Sequence, residues 1–218
     1  VQTWNLSHKP VSKELPLLST GMLDKVESLK ADIKLNKERL KIVKRKCHLE
    51  GDQRDQYFRR EIVRITGVPY KRDENTNQLV CRIGQSIGVR VSEGDISVSH
   101  RSGRQVGNSP RPILVRFVRR DKKHEFLMNK RNTRFIKRDD DGNAVNIFLD
   151  EHLTSIRANV CKQLRLEKVQ HHTKDGKIFI NCGNAEEGDW KVLDTPTDFE
   201  NSPWTVAVKE ELGIYPKD

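Results

Sequence analysis

A chain of 218 residues with 34% hydrophobic and 33% charged residues carries too little apolar material for one large core, so small modules with exposed helical or extended segments are expected. Lys and Arg outnumber Asp and Glu by 41 to 31, and no apolar run approaches the ~20 residues that a membrane span needs. The four cysteines, Cys47, Cys81, Cys161 and Cys182, form no C-x-x-C pair, which argues against a disulfide framework and for reduced thiols in an intracellular protein.

Residues 1–20 hold Pro10 and Pro16, show no sustained period and read as a flexible lead-in. A heptad pattern follows over 21–58. Met22, Val26, Leu29, Ile33, Asn36, Leu40, Val43 and Cys47 are spaced alternately by four and three, with charged residues between them. This is the seam of a coiled coil, in which Asn36 would fix register at some cost in stability. A single amphipathic helix packed on its own domain is the other reading of the same stripe. Gly51 ends the clean pattern, although helix can resume through 52–60.

Ile62, Val63, Ile65 and Val68 form a strand-like run closed by Gly67 and Pro69. Leu79, Val80, Ile83 and Ile87 share one stripe of a helix over 76–88, and Ile96 and Val98 alternate in a short strand. Residues 99–110 are rich in Gly, Ser and Arg and read as a mobile basic loop. Ile113–Phe117 reads as a central strand, and 121–131 as a basic helix with Phe126 and Leu127 inward. Thr133–Ile136 and Val145–Leu149 read as two strands joined by Asp139-Asp140-Asp141-Gly142-Asn143. The order over 59–149 is β-α-β-β-α-β, the ferredoxin-type arrangement that includes the RNA-recognition fold (RRM).

A smaller unit is expected over 150–182. Asp150 or Thr154 can cap a helix running to about Glu167, and Lys174-Asp175-Gly176 signals a β-hairpin. Residues 183–218 turn acidic, contain Pro196, Pro203 and Pro216, and read as a disordered tail. The fold class is α+β: a coiled-coil helix, an RRM-like domain and a small helix-plus-hairpin domain.

The charge is not spread evenly. Between Arg101 and Arg138 there are 13 Lys/Arg against only Asp121 and Glu125, while the remaining residues nearly balance. Solubility would be served by mixed charges, so a one-signed stretch around a strand points to a polyanion partner, most often nucleic acid. No phosphate-cradling glycine loop, H-E-x-x-H or G-x-S-x-G occurs, so neither an enzyme nor a cofactor is implied. Cys161, His171, His172 and Cys182 could supply metal ligands, but their spacing is not that of a common zinc module.

Several segments together carry a resemblance: Arg59-Arg60, Val63-Arg64-Ile65-Thr66-Gly67-Val68-Pro69, Ser99-His100-Arg101-Ser102-Gly103-Arg104, Pro112–Phe117, Ile147–Thr154 and Lys174–Ile180. In this order, after a heptad helix, they resemble the first-open-reading-frame protein of LINE-type retrotransposons. The C-terminal part is similar to the baculovirus few-polyhedra (FP) protein. The resemblance implies a homo-oligomer, a trimer in preference to a dimer, that coats single-stranded RNA as a nucleic-acid chaperone in cytoplasmic or nuclear ribonucleoprotein particles. Lys44 stands where the family's trimer signature has Glu. The family's basic positions match at Arg64, Arg101, Arg104, Arg111, Arg116 and Arg131, with Arg157 a further match. Arg59, Arg60, Arg119, Arg120 and Lys130 complete the expected nucleic-acid contacts. The aromatics on which ordinary RRM strands stack bases are missing: Phe117 alternates with Arg116 and is expected inward. The FP similarity sustains an alternative, a scaffold whose basic face docks an acidic protein.

Overall fold

The computed structural model describes residues 20–104, 109–136, 142, 145–183 and 189–216. The protein is a mixed α+β chain that divides into two units, 1–44 and 45–218. The lead-in expected over 1–20 lies outside the described residues apart from the backbone of Thr20. Helix α1 spans Thr20–Arg59. Gly and Pro are absent from 22 to 50, and Lys46 pairs with Glu50 one turn on at 4.0 Å. In the first unit every side chain from Gly21 to Lys44 is exposed, including the apolar stripe.

In the second unit four strands, β1 (Ile62–Thr66), β2 (Ile96–Arg101), β3 (Ile113–Phe117) and β4 (Phe148–Glu151), form one sheet in the order β2-β3-β1-β4. All neighbours are antiparallel. Val63, Ile65, Ile113, Val115, Phe117 and Leu149 point to one face. There they meet helices α2 (Thr76–Ser86) and α3 (Arg120–Met128) through Val80, Ile83 and Phe126. Asn75 starts α2 by accepting from the amides of Asn77 and Gln78. Gly67 has φ +84°, and a Cβ there would collide with the Asn146 carbonyl, so only glycine lets β1 end beside the approach to β4.

The strand expected at Thr133–Ile136 is instead a short 3-10 helix, Lys130–Phe135. Local bonds draw the chain away from the sheet: Thr133 Oγ1 donates to Lys130 O at 2.8 Å, and Asn132 Nδ2 to Ile87 O at 3.0 Å. Of the turn expected at 139–143, only Gly142 is among the described residues. The basic helix stops at Met128 rather than 131.

A second core is built on helix α4 (Ser155–Leu166). It is joined by strands β5 (His171–Lys174), β6 (Lys177–Asn181) and β7 (Trp190–Leu193) and by helices α5 (Pro196–Glu200) and α6 (Val206–Glu211). The β5–β6 turn has both central residues at positive φ, Asp175 and Gly176, the turn that matches strand twist.

The disordered tail is therefore corrected over the described residues 189–216. Leu193, Phe199, Leu212 and Ile214 are core residues. Two of the acids that suggest disorder have partners. Asp194 meets Arg157 and Lys177, and Asp198 closes a capping box with Thr195. Pro196 starts α5, where its missing N–H costs nothing.

The last third of α1 belongs to this second core. Leu49 is buried in it, Asp52 accepts from Arg157 Nε at 3.1 Å, and Gln56 Oε1 accepts from Thr154 N at 2.8 Å. Gly176 approaches so closely that a Cβ would meet the Gln56 side chain. Burial of Leu49 and these bonds carry the helix through Gly51, which alone would cost about 1 kcal/mol.

Candidate nucleic-acid interface

The alternation that buries Val63, Ile65 and Val115 turns Arg64 and Arg116 to the opposite, open face of the sheet, where both are exposed. In register, Arg64 lies between Leu114 and Asp150, and Arg116 between Ile62 and Val98. His100 sits on the same face across Leu114. Arg116 Nη2 also donates to the carbonyl of Phe58 at 3.2 Å, which occupies a free carbonyl at the end of α1.

That contact brings a second group of side chains to the sheet. Tyr57 and Phe58, on the last turn of α1, are 58% and 67% exposed, with ring centroids 6.0 Å apart. The Arg60 guanidinium lies 3.5 Å from the Tyr57 ring centroid. Glu61 stands 3.7 Å from both Arg60 Nε and Arg120 Nε, and Arg119 is 3.5 Å from Asp121. The Arg119 and Arg120 pairs lie at the surface and are weakly coupled, whereas Arg60 and Glu61 are partly buried.

Not every cation of the basic stretch faces solvent. The Arg101 side chain is only 5% exposed. It grips Glu74 through Nε at 2.7 Å and Nη2 at 2.9 Å, and donates to the carbonyls of Val68, Pro69 and Arg111. Burial alone would raise the Glu74 pKa. The Arg101 hydrogen bond, the Lys71 amide and the charges of Arg101 and Arg111 outweigh it and hold the carboxyl below its ordinary value. Arg157 is buried as well. It is bonded to Asp52, Asp194 and the Gly176 carbonyl, and its guanidinium lies 5.2 Å from the Phe199 ring centroid. Both arginines expected to hold nucleic acid are thus corrected to structural roles, because each is fully engaged by groups distant in sequence. Lys123 is likewise buried, 2.7 Å from Glu151 and 3.3 Å from Asp175.

Arg59 is half-buried and donates to His152 Nε2 at 3.0 Å and to Leu153 O at 3.3 Å. Burial, then the charges of Arg59 and Arg64, push the His152 pKa down to about 4, so the neutral ring is the acceptor that holds Arg59. Arg104, Lys130 and Arg131 are exposed. Arg111 is partly buried, 5.9 Å from the Tyr70 ring centroid.

Three exposed aromatics escaped the sequence reading. Phe148, 59% exposed, pairs with Thr66 and occupies the open face. With Leu149 inward, alternation alone could have placed it outward. Tyr57 and Phe58 carried no such signal, since only the folded chain brings the end of α1 to Arg116.

The seam residues Met22, Val26, Leu29, Ile33, Leu40 and Val43 are all exposed, as is Asn36 among them, and Cys47 is exposed in the second unit. Among the described residues no group of three or more His, Cys, Asp and Glu side chains is placed to hold a metal ion. Cys161 is buried in the second core, whereas His172 is exposed on β5. No described helix is long and apolar enough to cross a membrane. No family model matches the chain, and no curated protein matches it.

Proposed function

We propose that this protein binds single-stranded RNA without sequence preference, as an oligomer of the LINE-type first-open-reading-frame kind. The observation that carries the reading is the pair Arg64 and Arg116, exposed on adjacent strands, diagonally across the open face of a sheet whose other face is core. The strand order β2-β3-β1-β4 with two helices on the opposite face supports an RRM-like, ferredoxin-type reading of 59–149. Guanidinium planes on such a face grip phosphates bidentately or stack on bases. Arg60, Arg119, Arg120, Arg104, Lys130 and Arg131 are the further cations that this reading assigns to the polyanion. The exposed seam of α1 supports a parallel coiled coil, and joining several such faces raises affinity through multivalency. The setting in this reading is a cytoplasmic or nuclear ribonucleoprotein.

Filter binding of the full chain to a single-stranded oligonucleotide across a salt series tests this. About five phosphate contacts give a slope near −3.5 in log K against log salt, or roughly a hundredfold loss between 50 and 200 mM. Arg64→Ala with Arg116→Ala weakens every sequence alike and flattens the slope by about 1.4. A salt-independent affinity, or none, would leave the scaffold reading, in which the basic face docks an acidic protein.

A further inference from the structure

The geometry points to Tyr57 and Phe58 as a base-stacking clamp in which the two rings, set 82° apart, each take a separate nucleobase at the final turn of α1, beside the phosphates held by Arg116 and Arg120. The inference rests on the single-strand reading above and adds to it a contact that phosphate gripping does not supply.

Single exposed apolar residues are ordinary, but Tyr57 and Phe58 are adjacent and in ring contact, and it is contiguous apolar surface that marks contact sites. Their surroundings select the occupant. Arg60 already lies against one face of Tyr57, Arg116 is tied to the Phe58 carbonyl, and Arg120 shares Glu61 with Arg60. Aromatic faces interleaved with guanidinium groups are the chemistry that accepts stacked bases and their phosphates together. A second copy of the chain fits less well. Tyr57 falls in step with the α1 seam, but the two seam positions before it are Glu50 and Arg54, whose like charges would be brought together in a parallel oligomer. The clamp also differs from a sheet platform, because its rings come from the helix that carries the seam.

The test uses the full chain with Tyr57→Ala and Phe58→Ala combined, binding either oligouridylate or inorganic polyphosphate over the same salt series. The expected result is a fall of about tenfold or more for oligouridylate at every salt concentration, with an unchanged slope and unchanged polyphosphate affinity. Tyr57→Phe with Phe58→Tyr should keep wild-type affinity. Equal losses on both ligands, or no loss on either, would overturn the clamp while leaving the single-strand reading intact. A changed sedimentation coefficient without ligand would assign the rings to a second copy and overturn it too. Failure of the wild-type chain to bind oligouridylate would overturn both.

Discussion

At the scale of single residues, charge type proved a poor guide to role and neighbourhood a good one. Arg101, Arg116 and Arg157 are equivalent in the sequence, yet only Arg116 faces solvent. A buried guanidinium needs a carboxylate and carbonyls around it, and removing one partner from such a pair costs about 3–5 kcal/mol. His152 shows the same dependence on neighbours. Its folded pKa of about 4 lies below the ordinary 6.5, so between those values the unfolded chain binds the extra proton. Stability contributed by the neutral ring is full above pH 6.5 and is lost as pH falls toward 4. Because the ring is only partly buried, screening reduces the effect to roughly 1 kcal/mol, a drop in Tm of about 2–4 °C. Thermal melts at pH 7 and pH 5 should show this drop in the wild type. His152→Gln, which keeps an acceptor for Arg59 and cannot titrate, should show less of it. Equal pH dependence in both would remove His152 from the account.

At the level of elements, α1 carries two stripes of different composition. The seam ends Leu40, Val43, Cys47, whereas the residues that pack on the second core are Arg45, Leu49, Asp52, Gln56 and Arg59. Both follow the four-three spacing, but they are offset by two residues, about 200° around a helix. The residues that anchor the helix are therefore not those of the seam stripe, whose side chains are exposed. Leu29→Asp with Val43→Asp should lower the sedimentation coefficient to that of a monomer while leaving the melting of the core over 45–216 within a few degrees. A double variant that stays oligomeric would show that self-association, if present, lies elsewhere. Alternation made β1, β3 and the burial of Phe117 legible, and Lys174-Asp175-Gly176 marked the hairpin. The 3-10 helix at Lys130–Phe135 was not legible, because Asn132 and Thr133 bond to backbone groups that period counting does not include.

At the scale of the whole molecule, two cores share the second unit, and the acidic C-terminal stretch completes one of them. Removing 184–218 would strip out Leu193, Phe199, Leu212 and Ile214, each contributing about 1.5–3 kcal/mol by burial, and the Asp194 partner of Arg157. That loss is comparable to the whole stability of an ordinary domain. Hydrogen exchange should find the Ile178 amide protected in the full chain and unprotected in a chain ending at Gly183. Equal protection would mean that the helix and hairpin fold alone. The composition of the tail pointed the other way, since acids and prolines score as disorder wherever their partners are out of view.

Local and periodic features were legible in the chain: the heptad stripe of α1, the outward turn of Arg116, the hairpin, and a concentration of positive charge. These depend on spacing along a few turns or strands, and neighbours within that range are written in the chain. Which cations remain on the surface depends on contacts made across the fold. Arg101 meets Glu74 across 27 residues and Arg157 meets Asp52 across 105, so the carboxylate that neutralises each is supplied by the fold. The same distance in sequence hid the aromatic pair at the end of α1, which becomes part of the positive face only when β3 is laid against it.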